Sequence, residues 1–145
     1  MANSDIYVAE LTSNLRKFVD DSVTERPTYI SPDIPSGCYI SQNITGDYNA
    51  VSAIYGDKEA LRQFSVNYAK MELEEYSEVV DELASDFLNL HNGLFVVRLS
   101  REFSTESSLD PPMFDPDKAV SAKNRTIHMI PYDFSFGSLV FVLIE

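Results

Sequence analysis

The amino-acid sequence predicts an α+β fold, sandwich-like, with long helices packed on a largely antiparallel sheet. Three observations carry that expectation. Two pairs of β-rich segments are each joined by a short turn, one at Gly46-Asp47 and one around Gly137. Apolar residues recur at helical spacing from Val79 to Val97. The chain has 145 residues, 44% of them hydrophobic, which fits one domain spanning 1–145 with its own core.

Each element follows from local chemistry. Ile6, Tyr7, Leu11, Leu15 and Phe18 share a helical face, and Ser4 or Asp5 can cap it, so a helix is expected over 5–20. Pro27, Pro32 and Pro35 make 21–36 a loop, with a short strand near Tyr29. The segments 37–45 and 48–55 read as a hairpin. Asp57 then caps a helix running to about Lys70, with an imperfect apolar side of Leu61, Phe64, Val66 and Tyr68.

Ser77 caps the next helix, expected to end near Leu99, and Glu78, Asp81 and Glu82 oppose its dipole. Val79, Leu83, Phe87, Leu90, Leu94 and Val97 form its apolar stripe, although Leu94 to Val97 alone would also suit a strand. Residues 100–110 are polar, Met113-Phe114 continues a strand, and 115–123 reads as an exposed loop. The segments 126–132 and 139–144 form a final hairpin.

Composition excludes several functions. The net charge of −12 repels nucleic acid and anionic membrane surfaces. No apolar run is long enough to span a bilayer, and the first residues lack a signal peptide's basic and apolar regions. Cys38 is the lone cysteine, so no internal disulfide or cysteine-rich metal site is available, which suits a cytoplasmic setting. Cys38 reads as a core residue, and His91 and His128 share no ligand pattern. P-loop, dinucleotide-binding glycine and Gly-x-Ser-x-Gly patterns are absent.

A second stripe lies on the helix after Ser77. Glu82, Asp86, Asn89 and Gly93 are spaced by four, three and four residues and fall within roughly 60° of arc. On spacing alone this is ordinary solvated helix surface. Gly93 is odd there, because glycine costs about 1 kcal/mol against alanine inside a helix. Close approach by another backbone would explain it.

Glu82, Asp86, Asn89 and Pro112 are separated by three, two and twenty-two residues. This pattern resembles the motif of the CheC/CheX/FliY phosphatases of bacterial chemotaxis: Asp or Ser, three residues, Glu, two residues, Asn, twenty-two residues, Pro. Asp81-Glu82-Leu83-Ala84, Gly93, Leu109-Asp110-Pro111-Pro112 and Ile130-Pro131-Tyr132 with Gly137 are also similar to family segments. The motif occurs once, as in CheX-like members. Two positions depart from it: Glu82 replaces Asp or Ser, and Asp86 replaces Glu.

The resemblance implies a CheX-like fold and a phosphorylated CheY-like receiver domain as partner. It implies that Asn89 positions the attacking water and that Asp86 docks to the partner's lysine. Glu82, Gly93 and Pro112 would belong to the same partner-binding face. No cofactor of the chain's own is implied, since Mg²⁺ would come with the receiver. CheX-like proteins also dimerise through their sheets, and the greasy run Leu139 to Ile144 fits a homodimer. The alternative is a non-catalytic module that keeps the fold and docks a signalling partner.

Overall fold

Ile6, Tyr7, Leu11 and Leu15 are fully buried along one side of the first helix, α1 (Asn3–Phe18). The structure is a computed structural model and describes residues 2–33, 38–114 and 125–145. The helix begins earlier than expected. Ala2 is its N-cap, and Ser4 and Asp5 lie inside it. Asp5 still satisfies a first-turn donor, its carboxylate accepting the Ala2 N–H at 3.2 Å. The Pro-rich stretch that follows carries two short strands, β1 (Thr24–Glu25) and β2 (Tyr29–Ser31). Residues 34–37, the expected loop at 115–123 and the side chain of Cys38 fall outside the described residues.

The first hairpin is β3 (Cys38–Gly46) and β4 (Ala50–Gly56). Gly46 adopts φ 122°, and a Cβ there would sit 2.6 Å from the Glu106 carbonyl oxygen, so glycine is required. Helix α2 (Lys58–Ala69) starts as expected, with the Asp57 carboxylate accepting the Ala60 N–H at 2.8 Å. Leu61 and Phe64 are buried, while Val66 and Tyr68 are half-buried. Helix α3 (Glu78–Phe103) is continuous through Leu94–Val97 and four residues longer than expected, ending at Ser104 in the left-handed conformation. Strand β5 (Ser107–Leu109) and the second hairpin, β6 (Ile127–Phe134) and β7 (Gly137–Ile144), complete the described elements.

All described pairings are antiparallel, in the order β1-β6-β7-β4-β3-β5, with β2 also on β6. Strand β7 lies between β6 and β4. Leu139, Phe141 and Leu143 join the core under the helices, and Val142 and Ile144 a second cluster with Val51, Ala53, Ile127 and Met129. The apolar run is thus explained inside one chain. No free edge of β7 is left to argue for a homodimer.

The buried side of α3 differs from the expected one. Phe87 is in the core, but Val79, Leu94 and Val97 are exposed, and Leu83 and Leu90 are half-buried. Val80, Ala84, Leu88, His91, Asn92, Phe95 and Leu99 are buried instead. The helix is turned by about one residue, or roughly 100°, from the expected stripe. The reason is that His91 and Asn92 find polar partners inside. His91 Nδ1 meets Asn14 Nδ2 at 3.0 Å, and Asn92 Nδ2 donates to Gln42 Oε1 at 2.9 Å. These bonds offset part of the cost of burying the two side chains, although His91 Nε2 and Asn92 Oδ1 stay without a partner among the described residues.

Candidate functional site

Turning α3 this way leaves Glu82, Asp86 and Asn89 exposed and Gly93 half-buried on the side away from the core. Asp86 and Asn89 are one turn apart, about 4.5 Å along the axis. Their backbones are held by the buried Phe87 and Leu88 between them, which lock the helix onto the sheet. The pair is therefore presented from a rigid element rather than a loop.

Each of the two has a partner from another element. Tyr68, on α2, donates its hydroxyl to Asp86 Oδ2 at 2.7 Å. Burial raises the Tyr68 pKa above its ordinary value, and the hydrogen bond to Asp86 adds to the shift; the phenol stays protonated and remains a donor. Gln42, fully buried at the middle of β3, donates from Nε2 to Asn89 Oδ1 at 2.7 Å. The same nitrogen donates to the Asp110 carbonyl at 2.9 Å. Asn89 is thus joined through one side-chain nitrogen to the segment that leads into Pro112, which is half-buried.

The structure brings Asp86, Asn89 and Gly93 to one surface, with Pro112 two residues beyond the Asp110 carbonyl that shares Gln42. Glu82 lies a turn before Asp86, and its carboxylate has no partner among the described residues. A Cβ on Gly93 would meet nothing within 4 Å, so nothing among the described residues requires the glycine. Leu94 and Val97 on α3, and Met113 and Phe114 beyond Pro112, are exposed apolar residues.

Sequence reasoning missed Gln42 and Tyr68. A signal for Gln42 did exist: it alternates with the apolar Ile40 and Ile44 on the helix-facing side of its strand. A polar residue at such a position demands a partner. Tyr68 gave no signal beyond its place on the apolar side of α2. Among the described residues no cluster of three His, Cys, Asp or Glu could hold a metal ion, and no helix is long and apolar enough to cross a membrane.

Chemically, an exposed carboxylate and an exposed amide one turn apart suit recognition of a cation and placement of a small polar molecule. An amide both donates and accepts without being consumed. Neither group is set up as a nucleophile, and no acid–base relay runs behind them.

No protein-family model and no curated protein matches the chain. Solved structures do. A CheX from Desulfovibrio desulfuricans superposes with a TM-score of 0.80 at 13% identity, covering 100% of both chains. A CheC-like superfamily protein from Shewanella gives 0.81 at 13% identity, over 98% of this chain and 96% of that one. A Borrelia burgdorferi CheX, solved in complex with CheY, BeF3 and Mg²⁺, gives 0.80 at 16% identity, over 99% and 96%. The matches span essentially the whole chain, including the three helices and the antiparallel sheet of the described residues, and the chain has the CheX-like fold.

Proposed function

We propose that this chain is a CheX-like protein that speeds hydrolysis of the aspartyl phosphate on a CheY-like receiver domain. The observation that carries the reading is the exposed Asp86–Asn89 pair on α3, with the Asn89 oxygen tied back to Gln42. The similarity to a CheX solved in complex with CheY supports the choice of partner. Asn89 enters the receiver's site and orients a water in line with the phosphorus. The water oxygen attacks phosphorus, the bond to the aspartyl oxygen breaks, and the carboxylate leaves with the electron pair. The water's proton ends on the inorganic phosphate. Such a reaction needs positioning and charge stabilisation more than new covalent chemistry. Asp86 pairs with the receiver's lysine, a charge-assisted bond worth about 1.5–3 kcal/mol. Mg²⁺ comes with the receiver, and the setting is cytoplasmic.

Two observations favour a second reading. Asp86 is bonded to Tyr68 inside its own chain, and its arm is a methylene shorter than the glutamate of the motif it resembles. A module that docks a receiver without hydrolysing its phosphate would tolerate both features. A radiolabelled, phosphorylated receiver separates the two. The phosphatase reading expects faster phosphate loss with this protein, loss of the effect in Asn89→Ala with binding retained, and weaker binding in Asp86→Ala. Tight binding with no change in phosphate lifetime would leave the docking module standing.

A further inference from the structure

Asn92, Gln42 and Asn89 form a row of three amides between α3 and β3, and one backbone atom fixes the direction of all three. The Asp110 carbonyl can only accept, so the end of Gln42 that faces it at 2.9 Å is the amide nitrogen. The Gln42 oxygen then faces Asn92, which must donate through its own nitrogen at 2.9 Å. The second N–H of Gln42 points at Asn89, so the Asn89 atom 2.7 Å away is its oxygen. The Asn89 NH₂ is turned outward, with no partner among the described residues.

The Asp110 carbonyl is available because the strand beside β3 is bulged. Ile44 pairs with Leu109, and Ser41 bridges to Met113. Gln42 and Asn43 therefore oppose three residues, Asp110, Pro111 and Pro112. The Asp110 N–H still reaches the Asn43 carbonyl at 3.0 Å, and Met113 and Ser41 exchange bonds at 2.7 and 2.8 Å. Pro111 and Pro112 have no N–H to give to the ladder. The bulge is thus built into the sequence, and it hands one carbonyl to a side chain.

We infer that Gln42 is a positioning residue: held by the Asp110 carbonyl at the Pro111-Pro112 bulge, it fixes the rotation of the Asn89 amide that handles the attacking water. The inference rests on the phosphatase reading of Asn89. It also gives Pro112 a role that needs no contact with a partner. A purely structural demand at position 42 would be met better by an apolar residue like its neighbours Ile40 and Ile44. The row instead leaves the buried Asn92 Oδ1 without a partner among the described residues, a cost that serves orientation rather than stability. With one lone pair engaged by Gln42, the Asn89 oxygen keeps a second for a water proton, and its direction is set before the partner arrives.

The test uses the full chain. ¹⁵N relaxation of the parent's Asn89 side-chain NH₂ should show an order parameter close to that of rigid backbone, about 0.85, whereas a free surface amide falls below about 0.6. A mobile Asn89 amide in the parent overturns the inference without any variant. Gln42→Met keeps length and removes the donor. It should shift the Asn89 NH₂ resonances, leave KM for the phosphorylated receiver nearly unchanged, and lower kcat by about ten- to a hundredfold, the scale of a misplaced catalytic group. Gln42→Met combined with Asn89→Ala should be no slower than Asn89→Ala alone. A Gln42→Met protein with parental kcat, or a double variant slower than Asn89→Ala, overturns the positioning role. If the parent itself does not hasten phosphate loss, the phosphatase reading falls and the catalytic use of Gln42 falls with it. An ordered amide with a parental kcat in Gln42→Met would sink the inference alone.

Discussion

Gly93 is a residue whose cost has no return among the described residues of its own chain. A helix-interior glycine gives up about 0.5–1 kcal/mol against alanine, yet a Cβ at Gly93 would touch nothing within 4 Å. Its φ is ordinary for a helix, so no backbone strain demands it either. What remains is space kept open on the side of α3 that carries Asp86 and Asn89. Gly93→Ala is expected to stabilise the protein by about 0.5–1 kcal/mol in urea unfolding and at the same time to weaken binding of a phosphorylated receiver. The two effects have opposite sign, which no general loosening of the fold produces. Affinity left at the parental level in the alanine variant would take Gly93 out of the interface.

At the scale of the element, α3 shows what the sequence could and could not reveal. Its existence, its continuity and the outward placement of Glu82, Asp86 and Asn89 follow from spacing, because a 3.6-residue period is a local property. Which apolar face turns inward was not legible. Apolar residues occupy two adjacent stripes, Val79-Leu83-Leu90-Leu94-Val97 and Val80-Ala84-Leu88-Phe95-Leu99, with Phe87 between them. The choice is made by Asn14 and Gln42, which lie 77 and 50 residues away from their α3 partners and satisfy His91 and Asn92. The same distance in sequence hid the support of the candidate site, since Gln42 is 47 residues from Asn89. Phe87 belongs to the buried face under either choice. It meets Phe64 edge-on at 5.2 Å and Phe141 at 6.2 Å, so Phe87→Ala should cost about 3–5 kcal/mol. Val97→Ala, on the face now seen to be exposed, should cost under about 0.5 kcal/mol. Equal losses in the two variants, read from denaturation midpoints, would mean that α3 is not turned as described.

For the whole molecule, the sheet and helices enclose one histidine, and that sets how the fold responds to acid. His91 is fully buried, stacked between Phe87 and Phe95 with Tyr7 edge-on at 4.8 Å. Asn14 Nδ2 lies 3.0 Å from Nδ1, and Nε2 has no partner among the described residues, so a protonated ring would bury an N–H with nothing to accept it. Burial holds the His91 pKa down at about 3, against an ordinary 6.5. Because the folded pKa lies below the unfolded one, the neutral ring's stability is fully present above pH 6.5 and is lost as pH falls from there toward 3. Asp20 acts in a lower window. Partial burial pushes its carboxyl up, but bonds from Ser135 and Ser22 outweigh that and hold it at about 2, so its contribution fades below about 3.8. Between pH 6.5 and 5 most carboxylates stay ionised, and the self-repulsion of a chain with net charge −12 changes little. The His91 effect is isolated by the difference between parent and His91→Gln, at up to about 1.4 kcal/mol per pH unit for one proton. His128, bonded to Glu145 at 2.9 Å, is the other histidine and is common to parent and variant. Urea midpoints of the parent should fall steadily from pH 6.5 to 5, and those of His91→Gln should start lower but fall less. A variant whose midpoint falls in parallel with the parent's over this range would mean that His91 is not held neutral by the core.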